Sequence, residues 1–332
     1  MNPPNLPFLY LSEEDVQRTL SVAEAVDLAE RGILADGQGQ VAGDKFYMDV
    51  GDAGFIKPFS GFMAGEEFAY VKTFNFFPAN PERYGLPTTS SLVLLFHADT
   101  GQPVCLMEAG WVTGLKTGAS TTITARWLAH PEAATVAIFG AGMQGRMHLQ
   151  ALAQRFPLEQ AWVLDVRPEA AQRFAQDLAP ELGFPVTPLP LAQREQAVRA
   201  ADLVITVTTG NQPLVEYGWL KPGAFVAKLG SYQEVALDVL TRADKVVVDR
   251  WKYVAPRIPE LKMLAAQGRF GPEQIHGEWP DIVAGKLPGR ESPEEIIVYV
   301  ALGIWGEYAA ILPEVYRRAR ALGLGKELTD NS

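Results

Sequence analysis

The chain has 332 residues, of which 48% are hydrophobic, and it carries a formal net charge of −10. That length suits about two domains, and the apolar content can build a sizeable core, which excludes wholesale disorder. The acidic balance argues against nucleic acid or an anionic membrane as a partner, and the single cysteine, Cys105, excludes an intrachain disulfide framework. The N-terminal stretch has neither a basic start nor an apolar signal segment, and no apolar run reaches the ~18 residues of a membrane span. We therefore expect a cytoplasmic protein.

The first part of the chain predicts an α+β arrangement with an antiparallel sheet. Ser12 and Ser21 each precede an acid by three residues, which is the capping-box pattern of a helix start. Strand-like runs follow, namely GFIKPF, FAYVKTFNFF, SLVLLFHADTG and PVCLMEA, with turn signals between them. Cys105 lies inside the last run, so we expect an inert core thiol. The next stretch, WVTGLKTGASTTITARWLA, predicts a helix.

One of these strands carries a charged side chain among aromatic rings. Read with a period of two, Phe68, Tyr70, Lys72, Phe74 and Phe76 share one face. The lysine stem could pack on the rings while its amine reaches water. Alternatively, the amine could serve a pocket that needs one positive charge in an apolar wall. The strand alone leaves both interpretations open.

From His130 onward, short apolar strands alternate with helices. The strands are TVAIFG, AWVLDV, DLVITVT, AFVAKLG and KVVVD. This alternation predicts a Rossmann-type doubly wound parallel sheet, so the overall class is α/β with an added α+β domain. The tail from Ser292, SPEEIIVYVALGIWGEYAAILPEVYRRARALGLG, is predicted to be one long helical segment.

A glycine-rich loop lies at the start of this second region. Gly140, Gly142 and Gly145 form a GxGxxG motif that follows an apolar strand and opens a helix, the context in which the motif binds a dinucleotide pyrophosphate. Asp165 ends the next strand, where an acid accepts hydrogen bonds from the adenosine ribose. This favours NAD over NADP, whereas Arg167 nearby could hold a 2′-phosphate.

Three further features have weaker signals. Thr208, Thr209 and Gly210 follow a later strand of the same sheet and either line the dinucleotide cleft or form an ordinary loop. Lys228 is unusual inside an apolar strand and is retained as a candidate site residue. The four histidines share no metal-ligand spacing, so no metal site is expected.

Three stretches taken together, VKTFNFFPANP, GLKTGASTTITARWLA and IFGAGMQGRMHLQAL, resemble the ornithine cyclodeaminase/mu-crystallin family, and LGSYQEVALDVLTRADKVVVD resembles it more loosely. The likeness runs in the family's order over most of the chain. It implies a dinucleotide-binding Rossmann domain, residues 129–297, inserted into a substrate-binding and dimerisation domain, residues 1–128 with 298–332. It also implies NAD(P) chemistry at the carbon–nitrogen bond of a small amino, imino or keto acid, and Asp165 favours NAD as the cofactor, with NADP as the alternative. A homodimer through residues 1–128 is the expected assembly.

The resemblance assigns roles to several polar residues. Lys72 matches the family's active-site lysine, and Asn75 follows it at the family spacing. Lys116 stands where the family has an arginine that holds the substrate carboxylate, and a lysine cannot form the same two-pronged pair. Lys45 falls near a second carboxylate-binding arginine, although it could equally be a solvated surface lysine. The remaining expected substrate contacts are Met63 and Thr117. The expected cofactor contacts are Gly140, Gly142, Met143, Gln144, Gly145, Asp165, Arg167, Thr208, Thr209, Lys228 and Gly230.

Two acids that the family associates with cyclodeamination are missing. Gly61 and Tyr232 stand at their places. Without those acids, ring closure by a substrate amine lacks a base, which favours an NAD(P)-dependent amino-acid dehydrogenase or ketimine reductase. The alternatives are a cyclodeaminase-like ammonia lyase that uses bound NAD, and a mu-crystallin-like NAD(P)-dependent ligand-binding protein with little turnover.

Overall fold

The computed structural model describes residues 7–328 of the chain, so the first residues of the stretch inspected for a signal peptide lie outside the described part. The strands are β1 (Leu9–Leu11), β2 (Val41–Lys45), β3 (Met48–Asp49), β4 (Phe55–Met63), β5 (Phe68–Phe76), β6 (Thr89–His97), β7 (Pro103–Glu108), β8 (Thr135–Phe139), β9 (Gln160–Leu164), β10 (Val186–Leu189), β11 (Leu203–Thr206), β12 (Phe225–Lys228), β13 (Lys245–Val248), β14 (Gly277–Glu278), β15 (Ile297–Val300) and β16 (Lys326–Glu327). The helices are α1 (Glu13–Gln17), α2 (Val22–Gly37), α3 (Asn80–Tyr84), α4 (Gly110–Leu128), α5 (Met143–Leu152), α6 (Pro168–Leu182), α7 (Arg194–Ala200), α8 (Leu237–Arg242), α9 (Trp251–Val254), α10 (Pro259–Ala266), α11 (Trp279–Val283) and α12 (Gly306–Ala321).

The chain divides into two compact units. The first contains the described residues of Met1–Lys116 and Trp305–Ser332, and the second is Thr117–Ile304. The domain bounds expected from the sequence, 1–128 with 298–332 and 129–297, stay a prediction.

The first unit is built on an eight-stranded sheet in the order β16-β1-β7-β6-β5-β4-β2, with β3 paired to β4. The strands predicted from the apolar runs are confirmed, and they pair antiparallel from β2 through to β7; β1 joins β7 in parallel. Both capping boxes are also confirmed, at Ser12 for α1 and at Ser21 for α2. Helices α2 and α12 pack closely where Gly32 meets Gly306, since a Cβ on Gly32 would lie 2.2 Å from the Gly306 carbonyl oxygen.

Aromatic side chains join α12 to the sheet. The Tyr308 ring lies 5.9 Å from Phe59 of β4 and 6.0 Å from Tyr70 of β5, and the Tyr316 ring lies 5.1 Å from Phe68. Cys105 is fully buried in β7, and burial raises the pKa of its thiol to about 12. This agrees with the prediction of an inert core thiol.

The second unit is a doubly wound α/β layer around a parallel sheet in the order β10-β9-β8-β11-β12-β15-β13-β14. The chain starts at β8, adds β9 and β10 on one side, and then crosses to β11 and β12 on the other side. The switch of direction between β8 and β11 leaves a crevice at the carboxyl ends of these strands, which is where such sheets bind ligands. The predicted Rossmann-type sheet is confirmed.

The tail differs from its predicted form. Residues Ile297–Val300 are a strand that pairs in parallel with both β12 and β13, and the helix begins only at Gly306. The prediction of one long helix was wrong because a short run of apolar residues fits a strand buried on both faces as well as a helix. The β-branched content of IIVYV favours the strand, and Gly303, with a φ of 81°, separates it from α12.

Over residues 7–328, no helix combines the length and the apolar character needed to cross a membrane.

Candidate active site

Lys72 lies on a wall of aromatic rings in the first unit. It is 0% exposed on β5, opposite Phe59 of β4. Its Nζ lies 4.9 Å from the ring centre of Tyr308, 5.4 Å from that of Phe59 and 5.5 Å from that of Phe74. Among the residues that the structure describes, none accepts a hydrogen bond from this amine. The amine therefore does not reach water as a snorkelling lysine would.

The surroundings of Lys72 disfavour its charged form. Burial is the main cause that lowers its pKa well below the ordinary 10.5, and the positive charge of Lys116 lowers it further. A neutral amine is easier to form in this pocket than in water. An amine of this kind can both accept and donate a proton during a reaction.

Lys116 reaches the Tyr308 ring from a different element, with its Nζ 5.0 Å from the ring centre. It projects from α4, and its Nζ lies 3.0 Å from Oε1 of Glu307, in the first turn of α12. Both side chains are 1% exposed, so the ion pair is buried. Neither oxygen of Glu307 accepts a hydrogen bond from any described residue. Glu307 balances the charge of Lys116, and its oxygens can still accept a hydrogen bond from another group.

Two further lysines share the aromatic wall. Lys45 of β2 is 3% exposed, with its Nζ 5.5 Å from the Phe59 ring centre, so it is not a solvated surface lysine. Lys57 of β4 is 7% exposed, and its Nζ lies 4.9 Å from the Phe59 ring centre and 5.0 Å from that of Phe74. Lys57 is not among the residues predicted from the sequence, although the period-two pattern of Phe55, Lys57 and Phe59 carries the same signal as the strand of Lys72.

Glu307 and Tyr308 are also absent from the predicted site residues. Both belong to a stretch predicted to be a longer helix, and no local pattern connects them to a strand more than 200 residues away. Only the packing of α12 on β4 and β5 brings them to Lys72 and Lys116.

The other expected substrate contacts are not all near Lys72. Asn75 is three residues further along β5, so the alternation of the strand puts it on the opposite face, where its Nδ2 donates to Ser90 Oγ at 3.1 Å. Met63 is buried at the end of β4, on the face of Phe59. Thr117 continues α4 after Lys116, and its carbonyl accepts from Thr121 Oγ1 at 3.1 Å. Their contacts with a substrate stay predictions.

One of the two positions that lack the family's acids has no space for a larger side chain. A Cβ on Gly61 would lie 2.5 Å from Tyr70 Cε1. The space of the missing acid near Met63 is therefore filled by a tyrosine ring.

The glycine loop of the second unit has the shape of a phosphate cradle. Gly140 has a φ of 110°, a backbone conformation that favours glycine. A Cβ on Gly145 would lie 2.0 Å from the Gly140 carbonyl oxygen, so close packing of α5 on the loop requires glycine there. A Cβ on Gly142 would meet nothing within 4 Å, and no side chain caps α5 at this residue. The free N–H groups at the start of this helix, together with the open space at Gly142, suit a pyrophosphate.

Next to this loop, Asp165 follows β9 directly. One carboxylate oxygen accepts from the Ala141 N–H at 2.9 Å, and the other accepts from the Arg167 N–H at 2.9 Å. The Arg167 side chain is 66% exposed, and its Nε lies 3.7 Å from the carboxylate. Asp165 therefore joins the end of β9 to the glycine loop, and its contact with a bound ribose stays a prediction. Of the other loop residues expected to contact the cofactor, Met143 is exposed, whereas the Oε1 of Gln144 is buried without a hydrogen-bond partner among the described residues.

Lys228 is fully buried at the end of β12. Its Nζ donates to the Gly230 carbonyl oxygen at 2.6 Å and lies 3.4 Å from Oε2 of Glu260. The other oxygen of Glu260 accepts from the N–H groups of Glu234 and Val235. Direct contact of Lys228 with a cofactor stays a prediction, while its observed bonds hold the chain that follows β12.

Glu234 connects the loops that follow two strands. Its carboxylate accepts hydrogen bonds from the Thr206 hydroxyl, from the backbone and hydroxyl of Thr208, and from the Gly230 N–H. It is 0% exposed, and burial raises its pKa against the opposing effect of Lys228. Glu234 was not predicted as a site residue, yet its hydrogen bonds join Thr208 and Gly230, two of the expected cofactor contacts, in one network. Thr209 is exposed beside it.

The comparisons with known proteins agree with this geometry. The sequence model of the ornithine cyclodeaminase/mu-crystallin family matches residues 9–322. N-((2S)-2-amino-2-carboxyethyl)-L-glutamate dehydrogenase of Staphylococcus aureus is 32% identical over 253 residues, which is 75% of this chain and 74% of that protein. The structure of Thermococcus litoralis Delta(1)-pyrroline-2-carboxylate reductase in complex with NADH and L-proline has a TM-score of 0.92 at 28% identity, covering 96% of this chain and 100% of that chain. An archaeal alanine dehydrogenase dimer with bound NAD has a TM-score of 0.90 at 28% identity, covering 98% and 100%.

Proposed function

The chain belongs to the ornithine cyclodeaminase/mu-crystallin family, and from that premise we propose that it is an NAD-dependent oxidoreductase acting on the carbon–nitrogen bond of a small amino or imino acid. The observation that carries the proposal is Lys72, a fully buried amine without a hydrogen-bond partner among the described residues, set among three rings beside Lys116. A buried amine without a hydrogen-bond partner lowers the stability of the fold, so its presence points to a role in function. Proton transfer to a substrate nitrogen is such a role.

The residues of the pocket divide the work of reducing an imine. When bound, NAD(H) supplies the hydride that the substrate carbon accepts, or takes it up in the reverse direction. Lys72 delivers the proton that the nitrogen needs as the imine becomes an amine, and it takes that proton back in the oxidation. Lys116 attracts the substrate carboxylate, and the rings of Phe59, Phe74 and Tyr308 keep water from the reacting atoms.

The residues of the second unit fit NAD. The glycine loop and the start of α5 would hold the pyrophosphate, and Asp165 would accept from the ribose hydroxyls. The carboxylate of Asp165 would repel a 2′-phosphate, so we infer a preference for NAD over NADP. The NAD and NADH complexes of the archaeal alanine dehydrogenase and the Thermococcus reductase support this choice. A homodimer is proposed on the same ground, because the alanine dehydrogenase is a dimer.

The cyclodeaminase alternative is disfavoured by the closed space at Gly61. That reaction needs a base for a second substrate amine, and the Tyr70 ring fills the position beside Gly61 where the family places an acid. The oxidoreductase reaction needs no second base, because a single amine, Lys72, can exchange the proton with the substrate nitrogen.

The test is a substrate panel with the purified full chain. NADH consumption at 340 nm is followed with cyclic imino acids and with 2-oxo acids plus ammonium, and NADH formation is followed with the matching amino acids. Release of ammonia from diamino acids is measured in parallel. We expect stoichiometric change in NADH with at least one imino or amino acid. Ammonia release without net change in NADH would overturn the proposal in favour of cyclodeamination, and NAD(H) binding without turnover of any compound would overturn it in favour of a binding protein.

A further inference from the structure

A buried carboxylate in the first unit has acceptor capacity that the fold does not use. The Glu307 side chain lies at the start of α12, is 1% exposed, and has its Oε1 3.0 Å from the Lys116 Nζ. A carboxylate offers about four sites for hydrogen bonds, yet neither oxygen accepts one from any described residue. The equally buried Glu234 of the second unit accepts from threonine hydroxyls and from backbone N–H groups. Burial alone therefore does not explain the unused oxygens of Glu307.

The Lys116–Glu307 pair lies at a ring that Lys72 also faces. The Tyr308 ring centre is 5.0 Å from the Lys116 Nζ and 4.9 Å from the Lys72 Nζ. The amine proposed to transfer a proton to the substrate nitrogen thus shares an aromatic neighbour with a cation that has an anion beside it. The Tyr70 hydroxyl does not serve Glu307, because it donates to a backbone carbonyl at 2.9 Å. The oxygens of Glu307 are therefore left for a bound group.

Binding of a substrate carboxylate changes the balance of this pair. In the proposed function Lys116 attracts that carboxylate, which brings a second negative charge close to Glu307. Two carboxylates beside one amine repel each other, and water screens this repulsion weakly because both side chains of the pair are buried. A ligand that carries only a carboxylate has to bind against this repulsion. A ligand that also carries a cationic nitrogen supplies Glu307 with a hydrogen-bond donor and offsets the repulsion.

The short distance within the pair favours ligands whose own charges are close together. In an α-amino acid, and in a protonated cyclic imino acid of the same type, the nitrogen and the carboxylate are bonded to the same carbon. Such a ligand fits beside a lysine and a glutamate whose charged atoms lie 3.0 Å apart, with each charge next to its opposite. A nitrogen on a more distant carbon reaches Glu307 less well once the carboxylate is bound to Lys116.

We propose that Glu307 is a specificity-determining residue that binds the cationic nitrogen of the substrate, while Lys116 binds the substrate carboxylate. This proposal rests on the proposed function and narrows its substrate class to α-amino acids and protonated α-imino acids. An ammonium group has three N–H donors, so it can donate to Glu307 and still exchange a proton with Lys72. Hydrogen bonds between charged groups are stronger than those between neutral groups, so this contact separates such substrates from acids that lack a nitrogen.

The first experiment measures binding without turnover. The full chain loaded with NADH, which cannot oxidise an amino acid, is titrated by calorimetry with sets of related acids. The sets are alanine, propionate and β-alanine; 2-aminobutyrate, butyrate and 4-aminobutyrate; and proline, cyclopentanecarboxylate and pyrrolidine-3-carboxylate. In at least one set, the α-amino acid should bind about tenfold or more tightly than the acid without nitrogen, the scale of one hydrogen bond to a charged group. It should also bind more tightly than the isomer with the more distant nitrogen.

Substitution of Glu307 should change the two kinds of affinity in opposite directions. Glu307→Gln should weaken binding of the α-amino acid about tenfold and strengthen binding of the acid without nitrogen, because Lys116 no longer has a carboxylate beside it. Glu307→Asp keeps the charge but shortens the side chain, so it should retain part of the preference, and it carries the test if Glu307→Gln does not fold. Glu66→Gln is the matched control, because it removes another buried carboxylate of the first unit, one paired with Arg31 and Arg317, and should leave both affinities unchanged.

The second experiment uses the reaction. With the amino or imino acid that the substrate panel identifies, Glu307→Gln should raise KM about tenfold and lower kcat much less, because it removes a contact made in both the ground state and the transition state. The matching acid without nitrogen should inhibit Glu307→Gln at a lower concentration than it inhibits the parent. Far-UV circular dichroism and thermal unfolding of each variant check that the comparison is made on folded protein.

The outcomes separate the two proposals. If no α-amino acid binds more tightly than its partner without nitrogen, the role of Glu307 is overturned, and the proposed function stands as long as NADH changes with a substrate. Equal losses for all members of every set in Glu307→Gln would show that Glu307 only supports the fold, and would also overturn its role. A preference for α-amino acids that depends on Glu307, without any change in NADH, would support the role of Glu307 while the proposed function fails.

Discussion

Two buried lysines, one in each compact unit, have the same depth and opposite surroundings. Lys72 and Lys228 are both 0% exposed, and both lie on interior strands. Lys228 has the carboxylate of Glu260 at 3.4 Å and donates to a carbonyl at 2.6 Å. Lys72 has three aromatic rings around it and no hydrogen-bond acceptor among the described residues.

The comparison shows that burial alone does not identify a functional lysine. A buried cation with a carboxylate and a carbonyl is accounted for by the structure that it holds together. A buried cation that faces only rings is not compensated within the fold, so the free energy that it costs needs another explanation. The lack of a hydrogen-bond acceptor among the described residues, rather than the depth of burial, distinguishes Lys72 as the reactive residue.

The largest expected effect concerns stability in the second unit. Lys228→Met leaves Glu260 as an unpaired buried carboxylate, so the free energy of unfolding should fall by about 3–5 kcal/mol, measured by urea denaturation. Combining it with Glu260→Gln removes the unpaired charge but keeps an oxygen for the N–H groups of Glu234 and Val235, and should recover part of the loss. If Lys228→Met unfolds at the same urea concentration as the parent, the contacts of Lys228 do not stabilise the fold, and the contrast with Lys72 is wrong.

The matching substitution in the first unit, Lys72→Met, should reduce activity rather than stability. Lys72→Met should lower turnover by about 10²-fold or more, the scale of losing a general acid–base, while NAD(H) binding is retained. Because methionine replaces an amine without a hydrogen-bond partner, the free energy of unfolding should stay level or rise. Steady-state kinetics and urea denaturation measure the two effects, with Lys262→Met as the exposed control. Turnover within about twofold of the parent would make Lys72 a packing residue.

The pH dependence of stability sharpens the contrast. The pKa of Lys72 is lowered in the folded state, so the unfolded chain binds more protons at this residue between the lowered value and the ordinary 10.5. Over that window the free energy of unfolding should rise with pH by up to about 1.4 kcal/mol per pH unit, and the penalty of the buried amine should vanish above 10.5. The difference between the parent and Lys72→Met at each pH isolates this contribution. A difference that does not vary below pH 10.5 would contradict it.

The smallest expected effect concerns Asp165, whose side chain is 11% exposed and accepts hydrogen bonds from the Ala141 and Arg167 N–H groups. Asp165→Ser should reduce the preference for NADH over NADPH by about tenfold, because a charge that repels the 2′-phosphate is removed from partly screened surroundings. Dissociation constants from fluorescence titration measure the change, and Asp177→Ser on the exposed surface is the control. NADPH bound by the parent as tightly as NADH would point to Arg167 as the dominant residue.

Much of the fold could be predicted because the relevant signals are local. Period-two alternation, capping boxes and glycine spacing each appear within a stretch of fewer than about twenty residues. Such local patterns predict the strands around Lys72 and the glycine loop. The strand in the tail could not be predicted in this way, because IIVYV is apolar throughout and has no period that would separate a strand from a helix. Its strand conformation depends on pairing with both β12 and β13, which lie on either side of it in the sheet.

The sequence by itself determined the two kinds of sheet, the phosphate loop and the placing of Lys72 among aromatic residues, since each follows from the order of neighbouring side chains. The tertiary structure alone decided which charges have partners. Glu307 meets Lys116, Glu260 meets Lys228, and Tyr308 covers Lys72 across separations that no pattern encodes. The physical reason is that a charge's free energy depends on the atoms within a few ångströms of it, and packing chooses those atoms from distant parts of the chain.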